Sequence, residues 1–258
     1  RDYSLTLKQR ELRASIARFS DESIKPNARE IDNGNYPSQV LKELAVAGFT
    51  QAGFPAEVGG TDMDSISWAL IIAEVARGSG SAGLALGVTG TASLPLLRLA
   101  DAKQRQALLP VVNGETPGVY AQSEPGQGSD VAGITTTARQ VQRDGIPGWE
   151  LTGHKLWISN AWIGPNRRAD WAVVLCQTGD PGNRRTMRFF LVPSGTVSCT
   201  TQRSRESSQK RLPSPFERLW CPAMGLKSIR SWEQRWEQRR RFVAPRQNPE
   251  TARTLVLL

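Results

Sequence analysis

The hydrophobic pattern of this chain changes period once, near residue 115, and that change limits the fold more than any other feature. Before it, apolar side chains recur every third or fourth residue, the spacing of one helix face. After it, they fall in short β-branched and aromatic runs that alternate with polar residues. A pattern of one period does not sit stably in the other structure, so the order is a helical layer and then a β-domain.

In the first zone, Thr6-x-x-Gln9 has the form of a capping box, with Leu12, Ile16 and Phe19 following at helical spacing. Pro37-Ser38 opens a second helix, with Val40, Leu41, Leu44 and Ala47 along one side and Gly48 as its stop. Asp64 caps a third, SISWALIIAEVARG, which is apolar nearly all round and therefore expected to be central. The next stretch, GSGSAGLALGVTGTASLPLL, reads either as a loop or as a helix of small residues packed closely on its neighbours. Asp101-x-x-Gln104 starts a last amphipathic segment that ends at Asn113-Gly114.

The second zone holds GVYAQS, ITTTARQVQ, WELTG, HKLWIS, WAVVLCQT and MRFFLVP, divided by Gly, Pro, Asn or Asp. These short strands predict a small barrel or sandwich. The expected class is α+β: an all-α domain over 1–115, a β-domain over 116–197 and an irregular basic tail over 198–258.

Charge marks that tail. The net charge of +9 sits almost wholly in 198–258, where 13 Lys and Arg face 5 Glu, and only Gly225 of the 23 glycines lies there. The tail has no sustained period and does not read as a continuation of the β-domain. SWEQRWEQRRRF, with Trp232 and Trp236 four apart, would make one basic amphipathic helix. An abrupt turn to Arg, Ser, Gln and Trp is what a shifted reading frame produces; a genuine extension is the alternative. The 258 residues suffice to bury a substantial core. No uninterrupted apolar run approaches the ~20 residues of a membrane-spanning helix. The opening RDYSLTLKQR has no apolar signal core, and Arg1 in place of Met leaves the natural start open. Cys176, Cys199 and Cys221 are odd in number and lack CxxC spacing, so a reduced compartment and no metal cluster are expected.

Two segments carry the chemistry. In YAQSEPGQGSDVAG (120–133), Gly126-Gln127-Gly128-Ser129-Asp130 makes a turn whose backbone amides and Ser hydroxyl can approach a phosphate. It lacks the Lys-Ser/Thr of a Walker loop and the GxGxxG of a dinucleotide fold, and such a turn is often only a turn. Gln122 and Ser123, just before it, offer polar groups to a flat heterocycle. In GHKLWISN (153–160), Trp157 lies close to Ser159. An aromatic face beside a hydroxyl suits a flavin ring, and it also suits an ordinary sheet core.

Together, these two segments, about 20 residues apart, resemble the paired signatures of the acyl-CoA dehydrogenase family. The GF-x-x-x-x-FPAEVGG stretch and KQRQALLPVVNGE are similar to that family's helical domain, so the resemblance runs from about Ser4 to Pro193. It implies FAD as cofactor, with Tyr120, Gln122 and Ser123 along the flavin. It places Ser129 at the FAD pyrophosphate and beside the path of the CoA thioester. Trp157 and Ser159 match positions that pack on the ring and bond near its reactive nitrogen. Glu124 and Asp130 are expected to hold the turn, and His154 to take no part in chemistry.

The implied reaction is α,β-dehydrogenation of an acyl-CoA by a carboxylate base and the flavin, with an electron-transfer flavoprotein as the acceptor. The family's base is a Glu in a C-terminal helical domain, and none of Glu206, Glu217, Glu233, Glu237 or Glu250 sits in a matching segment. The expectation is a truncated family member with no catalytic residue of its own, weak or absent retention of FAD and no activity alone. The alternatives are a nucleic-acid-binding module that uses the tail with Trp220, Trp232 and Trp236, and a flavin monooxygenase of the same fold. A homo-oligomer is compatible with the family, no membrane partner is expected, and the bacterial cytoplasm is the first setting, with the mitochondrial matrix second.

Overall fold

The computed structural model describes residues 4–143, 146–164, 167–180 and 182–194, and the backbone of 216–222. The helices come first: α1 (Leu7–Phe19), α2 (Ala28–Asp32), α3 (Ser38–Val46), α4 (Ser65–Gly78), α5 (Gly80–Leu99), α6 (Ala102–Arg105) and α7 (Leu109–Val112). Their starts are set by the caps visible in the sequence. Gln9 N donates to Thr6 Oγ1 at 3.2 Å, and Thr6 N to Gln9 Oε1 at 3.0 Å. Asp64 accepts from Ser67 N ahead of α4, and Asp101 and Gln104 form a second box ahead of α6. Each cap satisfies amides that a helix terminus leaves without partners. In α3, Val40, Leu41, Leu44 and Ala45 are buried, whereas Ala47, placed on that side by the sequence, is exposed at the C-cap.

The small-residue run is a helix, α5. A Cβ at Gly83 would lie 2.5 Å from the Ala76 Cβ, so α4 and α5 approach almost backbone to backbone, as only small residues allow. With its 20 residues, α5 is long and apolar enough to cross a membrane, yet more than half of it is buried against the rest of the protein. It is α5, not α4, that occupies the centre. On α4, Ile66 is 56% exposed, and Ala69 and Ala73 also face outward.

The β-domain is a curled sheet of β1 (Tyr120–Ala121), β2 (Thr137–Arg143), β3 (Ile146–Gly153), β6 (Trp171–Gln177), β7 (Met187–Pro193) and β8 (Phe216–Pro222). A separate pair, β4 (Trp162–Gly164) and β5 (Arg167–Arg168), lies between β3 and β6 in the chain. β1 and β2 share one edge of β6, both parallel to it, and β7 takes the other edge antiparallel. Two expectations change. HKLWIS is not a strand, because Trp157 and Asn160 stand at φ +56° and +65°, which an extended ladder does not admit. Within the basic tail, Phe216–Pro222 does extend the sheet, antiparallel to β3. The SWEQRWEQRRRF segment and Glu206, Glu233, Glu237 and Glu250 lie outside the described residues.

The two domains share a core. Phe54, Leu96, Leu108 and Val111 from the helical layer pack with Trp171, Val173 and Leu191 from the sheet. The Trp171 indole donates to the Ala107 carbonyl at 3.0 Å, which satisfies its one polar atom.

Candidate functional site

The site begins at the shared edge of β6. Val173 N donates to Val119 O and Gln177 N to Thr136 O, both at 2.8 Å, so the chain leaves that edge after Ala121 and rejoins it at Thr136. Residues 122–135 therefore project as a loop. Glu124 and Gln127 exchange backbone hydrogen bonds at its neck, of 2.8 and 3.1 Å. The Glu124 side chain turns inward and is 2% exposed. Its carboxylate accepts from Thr135 N and Oγ1, from Thr136 N and from Lys155 Nζ, at 2.6–2.9 Å. Burial alone would raise this carboxyl; the hydrogen bonds from Thr135, Thr136 and Lys155 outweigh it and hold the pKa at about 2. Glu124 thus holds the turn. Asp130 is exposed and contributes a backbone carbonyl to Gly133 N.

The second segment lies alongside the first. Leu156 N donates to Ser123 O at 2.9 Å, and Lys155 Nζ to Gln122 O at 3.0 Å. At the far end, Asn160 Nδ2 donates to Gly118 O and Ala85 O at 3.0 and 2.9 Å, and Tyr36 OH donates to Asn160 Oδ1 at 3.0 Å. Residues 156–160 therefore run antiparallel to 118–123 without forming a ladder, clamped at both ends. Between the clamps Trp157 stands at φ +56° and is 78% exposed. A bulky residue in the left-handed region costs about 1–3 kcal/mol and persists only where its surroundings impose it.

The Ser123 and Ser159 hydroxyls are half-buried and make no hydrogen bond among the described residues. Tyr120 packs at 6.0 Å from the Phe189 ring and donates to Gln122 Oε1 at 3.0 Å; burial pushes its hydroxyl up to about 12. The structure thus sets the stretch that carries Trp157 and Ser159 alongside the stretch that carries Tyr120, Gln122 and Ser123. Ser129 stands exposed on the outer loop, and no hydrogen bond among the described residues ties it to either stretch. Apart from their chain neighbours, Gly126 and Gly128 have no atom of the described residues within 4 Å of where a Cβ would be, and neither has a positive φ. Neither turn geometry nor packing calls for glycine there. The sequence reading left Lys155 and Asn160 without roles. Asn at the end of an apolar run is a left-handed turn signal, whereas nothing in the pattern marked Lys155 as buried.

Residues 6–115 match the acyl-CoA dehydrogenase N-terminal domain, and residues 119–214 match the acyl-CoA dehydrogenase middle domain. The chain belongs to the acyl-CoA dehydrogenase family. It is 35% identical over 206 residues to the benzylmalonyl-CoA dehydrogenase of Aromatoleum aromaticum, which covers 78% of this chain and 51% of that protein. It is 33% identical over 185 residues to the human mitochondrial short-chain specific acyl-CoA dehydrogenase, with coverage of 70% and 43%. A glutaryl-CoA dehydrogenase from Mycobacterium smegmatis, solved in complex with FADH2, aligns with a TM-score of 0.71 at 27% identity over 86% of this chain and 55% of that one. The chain spans about half the length of the curated relatives it matches.

Proposed function

We propose that residues 118–123 and 156–160 form one wall of an FAD site, and that the chain supplies the helical and β parts of an enzyme that oxidises a CoA thioester. One observation carries this reading. Trp157 is clamped in an unfavourable, exposed conformation, and the Ser123 and Ser159 hydroxyls on the two paired segments make no hydrogen bond among the described residues. An ordinary sheet core gains nothing from such an arrangement, whereas a flat ring with polar edges uses both parts of it. Trp157 would pack on the ring face. Ser123 and Ser159 would donate to its edge, with Tyr120 and Gln122 alongside. Ser129 and the bare backbone at Gly126 and Gly128 would meet the pyrophosphate and border the CoA thioester. When bound, FAD supplies the hydride acceptor for the β-carbon of the acyl group.

Glu124 is not the proton-abstracting base. All four of its hydrogen bonds are internal, and a carboxylate held near pKa 2 has little tendency to take a proton. The base is assigned to the half of the family's length that this chain does not match, with an electron-transfer flavoprotein as the acceptor of the complete enzyme. Relatives occur in mitochondria and in bacteria such as Bacillus subtilis, and the bacterial cytoplasm is the proposed setting.

The test is a titration of the chain with FAD, read by flavin fluorescence and visible absorption. Saturable quenching that weakens in Trp157→Ala, with bands perturbed by an added short-chain acyl-CoA but no turnover with a dye acceptor, is the expected result. A chain that leaves FAD fluorescence unchanged sinks the reading.

A further inference from the structure

The proposed flavin wall leaves one buried pair without a role. Lys155 Nζ and Glu124 Oε1 are 2.9 Å apart, with side chains 3% and 2% exposed. Lys155 also donates to the Gln122 carbonyl, and the amide of the next residue, Leu156, donates to Ser123 O. Glu124 reaches the other way, to Thr135 and Thr136. One ammonium and one carboxylate therefore join three stretches of backbone: both arms of the 122–135 loop and the start of 154–160.

A buried ion pair adds little net stability, because each charge gives up its hydration, and apolar side chains of similar volume fill such space as well. What the pair supplies is register. If 154–160 slipped by one residue against 118–123, it would leave a charge buried without its partner, a strongly unfavourable state. The clamp acts two residues before Trp157, where the backbone enters its left-handed conformation, and Asn160 holds the far side.

We propose that Lys155, acting through Glu124 and the Gln122 carbonyl, is a positioning residue that fixes Trp157 and Ser159 against Tyr120–Ser123 and thereby sets the affinity and spectrum of a bound flavin. The inference rests on the flavin wall proposed above. It requires no contact between Lys155 and the cofactor.

The experiment uses the full chain as wild type, Lys155→Met, Lys155→Arg and Trp157→Ala. Hydrogen exchange is followed in peptides that cover 154–160, α4 and α5, and FAD is titrated by fluorescence and absorption. In Lys155→Met, exchange at 156–160 should rise about tenfold while α4 and α5 stay as in wild type, and FAD binding should weaken about tenfold with an altered flavin band. Lys155→Arg, which keeps the charge and the donors, should recover most of both. Trp157→Ala should weaken FAD binding without changing exchange at Leu156. If Lys155→Met does not fold, Glu124→Gln/Lys155→Met, which leaves no stranded charge, replaces it with the same expected results.

Wild-type affinity and exchange in the neutral variant would overturn the proposal. So would exchange that rises equally throughout the chain and is not recovered by Arg, because Lys155 would then be merely structural. A wild-type chain that binds no FAD sinks the flavin wall and takes this inference with it. A wild type that binds FAD, with Lys155→Met binding equally well, sinks this inference alone.

Discussion

Glu124 and Trp157 occupy opposite ends of the same arrangement, one side chain sealed inside and the other held in solvent. The Glu124 carboxyl lies at about 2 in the folded chain against an ordinary value of 4.5. Its depressed pKa means that the ionised form is favoured by folding. The stability it contributes is present above about pH 4.5 and is lost as pH falls toward 2, a difference of about 3 kcal/mol. Glu74, held below its usual value chiefly by hydrogen bonds from Arg13 and Arg77, acts in the same direction. Glu124→Gln should therefore shorten the acid limb of the stability curve without abolishing it. Urea midpoints at pH 7, 5 and 3 check this: the deficit of the variant should be largest at pH 7 and shrink by pH 3. A deficit independent of pH would mean that the carboxylate charge is not what the loop relies on.

The elements divide into those determined locally and those determined by distant partners. α1, α4 and α6 start where their cap residues stand, because a cap is a contact over three residues and is written in adjacent sequence. The two signature segments were legible for a related reason, since their residue types and order are local, and the fold sets 156–160 alongside 118–123. The shape of 154–160 was not legible. Its conformation depends on Asn160 reaching Tyr36, 124 residues away in sequence, and Ala85, 75 away. Without those partners, HKLWIS has the composition of a strand. The small-residue run of α5 stayed ambiguous because Gly83 and Gly90 are explained only by Ala76 and Trp68 of the facing α4. β8 was missed because FERLWCP does not alternate cleanly and its partner, β3, lies about 70 residues earlier.

Asn160→Ala tests the dependence on distant partners. The variant takes the Asn160 donor from the Gly118 carbonyl and the acceptor from the half-buried Tyr36 hydroxyl, and keeps a Cβ in the left-handed region, so it should cost about 2–4 kcal/mol in urea unfolding. Asn160→Gly loses the same bonds but accepts φ +65° and should cost about 1 kcal/mol less. Equal losses would show that the conformation at 160 carries no strain.

At the scale of the whole molecule, the clamped segment is useful only if the two domains keep a fixed relation, because Asn160 is anchored to α5 while Leu156 is anchored to the β-domain loop. That relation is held by the shared core, in which Trp171 and Val173 of β6 pack against Phe54, Leu96, Leu108 and Val111. A seam built of core residues from both sides should make the helical layer and the sheet unfold together, since neither can expose its half without opening the other. Trp171 is the side chain to remove: it is 5% exposed and bridges to Ala107 through its indole N–H. Trp171→Ala should destabilise the chain by about 3–5 kcal/mol. In wild type, thermal unfolding followed by helix circular dichroism and by tryptophan fluorescence should give coincident transitions. In the variant those transitions should move down together or separate, the helices outlasting the sheet. FAD affinity should fall under conditions where both domains remain folded, because Trp157 and the Tyr120–Ser123 strand would no longer share one frame. Unchanged affinity in such a variant would show that the β-domain builds the flavin wall alone, with the helical layer as a passive neighbour.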